Sequence, residues 1–150
     1  MSELYFYDKY YDNYIDLIKN DSKKLILKLK MRDPKFYWKL DFSVDSLQVI
    51  DRQVEINSKL SMNNEGILEI SGINQELILE ITAYLGEILK RNFNGKWVIV
   101  NENGKKVLYI YYVSKNDYRE RYDQLILYEE IQELIIEGES IEKWFRKQIG

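Results

Sequence analysis

Residues 74–92 read NQELILEITAYLGEILKRN, and residues 97–113 read WVIVNENGKKVLYIYYV. In the first stretch, apolar residues recur at helical spacing on more than one face, which predicts a central, largely buried helix capped by Asn74. In the second stretch, Asn103-Gly104 separates two runs rich in β-branched and aromatic residues, a strong short-range signal for an antiparallel hairpin. A helix packed on this hairpin is the predicted nucleus of the fold.

A second hairpin is predicted upstream, at residues 24–42. Apolar and basic residues alternate from Lys24 to Arg32, Asp33-Pro34 interrupts the run, and a second alternation extends from Phe36 to Phe42. Period-two alternation is typical of a strand with one buried face, and a proline cannot donate to a β-ladder. We therefore expect an α+β fold whose antiparallel sheet of at least four strands is built from two hairpins, with helices packed on one face.

Four further helices and one short strand complete the expected architecture. The helices are predicted at Leu4–Lys19, at 44–54 after the cap Ser43, at about 124–137 before Gly138, and at the C-terminus after the cap Ser140; the strand is predicted at 67–70. The chain has 150 residues and shows neither a repeat nor a linker, which predicts a single domain over residues 1–150.

The composition excludes several kinds of chemistry, because the chain contains no histidine and no cysteine. It can form neither a Ser-His-Asp nor a Cys-His nucleophile system, and it lacks the preferred ligands of zinc, so we expect no metal and no cofactor. An enzyme would have to use carboxylates, and Asp41, Asp45, Asp51 and Glu87 are the candidates for a Mg²⁺- or Mn²⁺-dependent site.

The same features indicate where the protein works. The absence of cysteine fits a reducing compartment, the chain opens without a signal-peptide pattern, and no apolar run approaches the roughly 20 residues that span a bilayer. We therefore expect a cytoplasmic protein without a membrane segment. The short terminal helix has apolar and basic residues that suit a membrane surface, but its length favours a helix docked on the core.

Charge is distributed unevenly along the chain. Residues 1–22 carry a net charge of −3, and Asp8, Asp12 and Asp16 form a stripe on the N-terminal helix. We interpret the stripe as a candidate acidic docking surface that steers a basic protein partner. Alternatively, it is an ordinary solvated face, or it pairs with the basic segment that follows.

Residues 23–40 carry a net charge of +6, and Tyr37 lies among their lysines. Basic residues beside aromatic rings are typical of nucleic-acid binders, but a sequence pI of about 5.2 argues against that reading. Lysines on an exposed strand also prevent sheets from pairing at their edges.

Two segments resemble the signatures of a small bacterial family of domains of unknown function. Residues 41–47 (DFSVDSL), followed by Ile50-Asp51, are similar to its D-[FY]-S-x-x-S-L-x-x-[LI]-D motif. Residues 83–87 (AYLGE) and 91–97 (RNFNGKW) are similar to its A-Y-L-G-E and R-N-x-x-G-x-W motifs. The resemblance covers roughly residues 40–113, and it implies an α+β fold and an accessory bacterial protein without an established activity.

Gly86 marks the second candidate site. A glycine inside a buried helix costs about 1 kcal/mol relative to alanine, so we expect another backbone, that of the hairpin beginning at Trp97, to pack closely against it. Glu87 and Arg91 are spaced to form an ion pair. As an alternative to plain packing, Tyr84, Glu87, Arg91 and Trp97 could form the wall of a binding cleft.

Together these patterns favour a non-catalytic protein-interaction domain, of the kind found among bacterial immunity proteins and antitoxins, that binds a basic partner. The alternatives are a carboxylate-based Mg²⁺- or Mn²⁺-dependent enzyme and a structural or regulatory module.

Overall fold

The chain forms five helices and two small antiparallel sheets within the residues described by the structure, a computed structural model. It describes the backbone of residues 2–57, 60–62, 68–70, 72–114 and 122–150, and side chains at 14–57, 75–114 and 123–150. The elements are α1 (Ser2–Met31), α2 (Leu47–Asn57), β1 (Leu60–Met62), β2 (Leu68–Ile70), α3 (Gly72–Asn92), β3 (Lys96–Glu102), β4 (Lys105–Val113), β5 (Tyr122–Leu125), α4 (Leu127–Glu137) and α5 (Ile141–Ile149). The α+β class is confirmed.

Helix α3 lies at the centre of the core, as its pattern predicts. Seven of its apolar residues are completely buried: Leu77, Ile78, Ile81, Tyr84, Leu85, Ile88 and Leu89. The helix begins at Gly72, so Asn74 lies in its first turn and the prediction of Asn74 as the cap was wrong. Helix ends fray, so a boundary that differs by one or two residues is common.

The hairpin of β3 and β4 is confirmed, with Glu102 opposite Lys105 at its closed end. Asn103 and Gly104 both have positive φ, 52° and 79°, as a type I′ turn requires. Strand β4 also pairs with β5, which gives a three-stranded sheet in the order β3-β4-β5. The core-facing side of this hairpin includes Trp97 and Ile99.

The predicted hairpin at 24–42 was wrong. Helix α1 continues through Met31 across a break at Asp21, where φ is −135° and ψ is 29°. Leu25, Ile26 and Leu29 are buried on one helical face, whereas Leu27 and Met31 are exposed. Leu, Lys, Met and Arg are strong helix formers. Their helix propensity and the helical spacing of Leu25, Ile26 and Leu29 together outweighed the period-two alternation that had predicted a strand.

Residues 33–46 form no strand either, so the main sheet has three strands among the described residues, rather than four or more. Asp33-Pro34 ends α1 in a turn, and two 3₁₀ turns follow at Tyr37–Lys39 and Val44–Ser46. The separate two-stranded sheet contains β2, close to its predicted position, and β1, which the pattern did not predict.

The other predicted helices are confirmed, but their boundaries differ: α1 ends at Met31 rather than Lys19, and α2 spans Leu47–Asn57 rather than 44–54. Ser43 accepts a hydrogen bond from the Ser46 N–H before α2, Ser140 accepts one from the Lys143 N–H in α5, and Gly138 ends α4 with φ of 70°. Residues 122–125 form β5 instead of the predicted start of α4 at about 124. No helix in the described ranges is long and apolar enough to cross a membrane.

Candidate functional site

The connection between α1 and α2 presents aromatic side chains to solvent. Its 3₁₀ turn (Tyr37–Lys39) buries none of its three residues. Trp38 is 72% exposed and Tyr37 is 43% exposed, whereas Leu40 behind them is buried. Tryptophan is mostly buried in proteins, and adjacent exposed apolar residues are more typical of an interaction surface than single ones are.

Cations lie over the rings of this connection. The Arg52 guanidinium is 5.0 Å from the Phe36 ring centroid, and the Lys39 ammonium is 5.3 Å from the ring of Trp38. The Lys30 ammonium is 5.5 Å from the ring of Tyr37. Contacts of this length are attractive cation–π interactions, and they hold the charged groups close to the rings.

The same pattern continues at Phe42. The Arg91 guanidinium lies 3.9 Å from the centroid of the Phe42 ring, and the Lys30 ammonium lies 4.8 Å from the same centroid. Lys30 therefore contacts the rings of both Tyr37 and Phe42. We call these eight residues the basic–aromatic surface: Lys30, Phe36, Tyr37, Trp38, Lys39, Phe42, Arg52 and Arg91.

Most of the positive charge on the basic–aromatic surface is not neutralised. Among the described residues, no carboxylate oxygen lies within 4.0 Å of the side-chain nitrogens of Lys30, Lys39 or Arg52. Arg91 is the exception, because its Nε donates to Glu87 Oε1 at 2.9 Å. An anionic group could therefore approach three cations without first displacing a carboxylate.

Asp41 lies in the same connection, but within the described part of the chain it forms no ion pair within 4.0 Å with these cations, and Ser43 holds its carboxylate instead. Its Oδ1 accepts hydrogen bonds from the hydroxyl and the N–H of Ser43, at 2.6 and 3.1 Å. These bonds, with a smaller contribution from the charge of Lys30, lower the pKa of Asp41 below its ordinary value. Its charge therefore helps to shape the turn before α2.

Phe42 is held in an uncommon backbone conformation. Its φ is +64°, a region that non-glycine residues rarely adopt. Its N–H donates to the Tyr84 hydroxyl at 2.9 Å, and its ring stacks on that of Tyr84 with centroids 5.0 Å apart. The Asn92 amide donates to the Phe42 carbonyl at 3.1 Å. Contacts from α3 therefore fix the ring on which Lys30 and Arg91 lie.

The two segments that carry the family resemblance meet at this point. The Tyr84 hydroxyl lies 2.7 Å from Ser46 Oγ, which in turn donates to the Ser43 carbonyl at 2.6 Å. Burial raises the pKa of Tyr84, so its hydroxyl keeps its proton at neutral pH. Residues 41–47 and 83–92 thus act together as a scaffold for Phe42.

The four predicted cleft residues have different surroundings. Tyr84 is completely buried, and Glu87 and Arg91 form the predicted ion pair. Trp97 lies against Gly86 through its indole side chain, so the expectation of a close backbone approach was wrong. Of the four residues, the structure places only Arg91 in the basic–aromatic surface.

The acidic stripe is only partly described. Asp16 is exposed on α1, whereas Asp8 and Asp12 lie outside the residues whose side chains the structure describes.

The candidate carboxylates have separate partners. Asp45 pairs with Arg146 at 2.6 Å, and Asp51 accepts hydrogen bonds from Ser140 and Ile141 at the start of α5. Among the described side chains, no three His, Cys, Asp or Glu residues group in a way that could hold a metal ion.

A cleft of about 730 Å³ lies between α2 and the connection from α4 to α5. Arg52 and Glu55 line it from α2, and Glu139 and Ser140 line it from the opposite side. Asp51 also lines the cleft, but it is engaged in capping α5. Arg52 thus connects this cleft to the basic–aromatic surface.

Sequence reasoning noted the lysines of residues 23–40 beside Tyr37, but it did not single out Phe36, Trp38, Phe42 or Arg52 as site residues. The available signal was a run of aromatic and basic residues directly after Asp33-Pro34, which the period-two pattern assigned to a strand. Arg52 carried no signal of its own, because only the fold brings α2 beside Phe36.

No family model, no curated protein and no solved structure matches the chain.

Proposed function

We propose that this protein is a non-catalytic protein-interaction domain that binds an acidic partner through the basic–aromatic surface. The observation that carries the proposal is Trp38, which is 72% exposed and lies beside Lys39, a cation without a carboxylate within 4.0 Å among the described residues. Trp, Tyr and Arg are the residues most enriched at the energetic centres of protein interfaces, and this surface contains all three.

The chemistry of the surface favours carboxylates as its ligands. The two exposed rings, Trp38 and Tyr37, offer apolar area, and Lys39 and Lys30 lie over them. Arg52 lies over the neighbouring ring of Phe36, and none of these three cations has a carboxylate within 4.0 Å among the described residues. A partner that places Asp or Glu beside an apolar or aromatic side chain would complement both features. Guanidinium groups already held over a ring lose little conformational freedom when they bind a carboxylate.

The overall charge favours a protein over a nucleic acid. The chain has a net charge of −3, so a long polyanion would be repelled by the rest of the surface. A folded partner with one acidic patch meets only the local positive charge. The interaction should weaken with salt, since exposed charges are screened over about 8 Å at physiological ionic strength.

Docking of a basic partner on Asp8, Asp12 and Asp16 is the proposal that the sequence supports. The acidic stripe would bind a basic partner, whereas the basic–aromatic surface would bind an acidic one. A binding experiment with probes of both charges therefore distinguishes the two surfaces.

The test uses fluorescence anisotropy of labelled probes: a Glu/Tyr-rich peptide, a Lys-rich peptide of equal length, single-stranded DNA, and vesicles containing phosphatidylserine. We expect the acidic peptide to bind, and Trp38→Ala and Lys39→Glu to abolish binding. The matched control Lys143→Glu changes an exposed lysine on α5, outside the basic–aromatic surface, and should bind as wild type does.

Other outcomes would contradict the proposal. Tighter binding of DNA or vesicles through the same residues would assign the surface to a different class of partner. Binding of the Lys-rich peptide, lost in Asp16→Asn but kept in Trp38→Ala, would place the site on the acidic stripe. Absence of acidic-peptide binding at low salt would overturn the proposal.

A further inference from the structure

Strand β3 forms an edge of the three-stranded sheet. Among the described residues, β4 is the only strand that pairs with β3. The seven residues of β3 include the run Trp97–Val100, which has strong β preference and intermediate exposure. An edge of this kind is a template for pairing with another strand unless charge, proline or a bulge prevents it.

The turn type determines which backbone groups of β3 point outward. Glu102 and Lys105 flank a two-residue type I′ turn, so they form a hydrogen-bonded pair within the hairpin. Backbone groups alternate in direction along a strand, so the N–H and C=O groups of Trp97, Ile99 and Asn101 point to the free edge. These three residues can form hydrogen-bonded pairs with a second strand.

The sequence of β3 is complementary to itself in one antiparallel register. When two copies pair about a two-fold axis at Ile99, Trp97 faces Asn101, and Val98 faces Val100. Lys96 then faces Glu102, once on each side of the axis. Among the registers that bring outward-facing backbone groups together, the one centred on Ile99 pairs Trp97, Ile99 and Asn101 with one another.

We propose that a second copy of this chain binds at β3, so that two three-stranded sheets join into one continuous six-stranded antiparallel sheet. The two-fold axis makes the contact isologous, as in most homodimers. Main-chain hydrogen bonds between edge strands are a common mode of recognition.

The charges at the ends of β3 select this register. Lys96 and Glu102 are both exposed, and among the described residues Lys96 has no carboxylate within 4.0 Å. Glu102 accepts a hydrogen bond from the Tyr109 hydroxyl through Oε1, which leaves Oε2 for an incoming ammonium group. Lys96 and Glu102 would form a non-hydrogen-bonded pair, the geometry in which facing side chains approach most closely.

The test is the molar mass of the purified full chain, measured by sedimentation velocity in a dilution series from high micromolar to nanomolar. We expect a concentration-dependent dimer. Lys96→Glu and Glu102→Lys each place like charges opposite each other twice, so each should raise the dimer dissociation constant about tenfold or more. The double variant restores opposite charges and should restore dimerisation. The control Lys106→Glu changes the same charge on β4, outside the contact, and should leave the dimer intact.

A backbone variant tests the same contact independently of charge. Asn101→Pro removes an N–H that points to the free edge, so it should block dimerisation and leave the hairpin folded, as judged by circular dichroism. The proposal is overturned if the wild type is monomeric throughout the series, if the single charge variants dimerise normally, or if the double variant remains as impaired as the single ones. A dimer that survives Asn101→Pro would also overturn it.

Discussion

The indole of Trp97 occupies the space that a side chain on Gly86 would need. A Cβ at Gly86 would overlap ring atom Cζ2 and would lie 2.9 and 3.1 Å from Cε2 and Cη2 of the same ring. Gly86 lies in the buried helix α3, and Trp97 is the second residue of β3. The glycine therefore allows a flat aromatic ring to pack between the central helix and the hairpin.

We predict that Gly86→Leu destabilises the fold by about 1–3 kcal/mol or more, because the added side chain overpacks a filled site. Gly86→Ala should also destabilise, even though alanine is favoured over glycine by about 1 kcal/mol within a helix. Urea unfolding followed by circular dichroism measures both effects. Combining Gly86→Leu with Trp97→Ala should recover part of the loss. An unchanged or raised urea midpoint for Gly86→Leu would contradict the packing account.

Local patterns were sufficient for the hairpin and for α3. Asn103-Gly104 specifies the turn of the hairpin, because few residue pairs adopt positive φ at both positions. Helix α3 has so many apolar residues at helical spacing that its pattern fits no strand. Where one strong signal was present, element type and position were both predicted from sequence.

Residues 24–42 show why the rest was not predicted. Leu25, Leu27, Leu29 and Met31 fit a strand, but Leu25 and Leu29 together with Ile26 fit a helix equally well. Whether the segment forms a strand or a helix depends on which surface it can pack against. In this fold α1 packs on α3, which favours the helix. A single sequence window does not contain that information.

The candidate site depended even more on tertiary structure. Residues that are distant in sequence, such as Phe36 and Arg52, become neighbours only when the connection from α1 folds back over α2. The resemblance motifs pointed to segments 41–47 and 83–92, but not to their meeting around Phe42, because a motif names residues and not their contacts.

Arg32 and Glu80 form a largely buried ion pair between the end of α1 and α3. Glu80 is 2% exposed, and its Oε2 accepts a hydrogen bond from Arg32 Nη2 at 2.7 Å. We predict that Arg32→Met, which keeps most of the aliphatic stem, destabilises the fold by about 3 kcal/mol, since it leaves a buried carboxylate without its cation. The double variant Arg32→Met/Glu80→Leu should lose much less. A loss in the double variant equal to the sum of the losses in Arg32→Met and Glu80→Leu would show that the pair is not coupled.

The pH dependence of this loss follows from the pKa of Glu80. Burial raises it above the ordinary value of 4.5, and Arg32 opposes the rise. A carboxyl group with a raised folded-state pKa binds more protons when folded, so its contribution to stability is greatest below the unfolded pKa and falls as pH increases. Without Arg32 the pKa should rise further. The stability difference between wild type and Arg32→Met should therefore grow from about pH 4 to about pH 7.

The Tyr84 hydroxyl offers a matched comparison with that of Tyr112. Both side chains are buried, but Tyr84 bonds to Phe42 and Ser46 at 2.9 and 2.7 Å, whereas the bond from Tyr112 to the Gln148 carbonyl is 3.4 Å long. We predict that Tyr84→Phe costs about 1–3 kcal/mol, because it leaves the Phe42 N–H without its acceptor. Tyr112→Phe should have little effect. Thermal melting of the two variants measures the difference. Equal decreases in melting temperature would mean that the hydrogen bonds of Tyr84 around Phe42 contribute no more than the long bond of Tyr112.

Asp51 on α2 caps helix α5, which is distant in sequence. Its Oδ1 accepts a hydrogen bond from the Ile141 N–H at 2.7 Å, and its Oδ2 accepts bonds from the Ser140 hydroxyl and the Glu142 N–H at 2.6 and 3.3 Å. The first N–H groups of a helix have no partners within the helix, and a negative charge there also interacts favourably with the helix dipole.

We predict that Asp51→Ala destabilises the C-terminal helix by about 1–2 kcal/mol through the loss of this cap. The effect should be local, so amide hydrogen exchange should accelerate in residues 141–149 more than in α3. Asp45→Ala is the matched control, since Asp45 also contacts α5, but through an exposed pair with Arg146 at 2.6 Å. Exposed ion pairs contribute little to stability, so exchange in the control should stay close to that of wild type. No acceleration in Asp51→Ala would show that α5 is held by the burial of Ile141 and Phe145 alone, and equal acceleration in both variants would show that the exposed pair contributes as much as the cap.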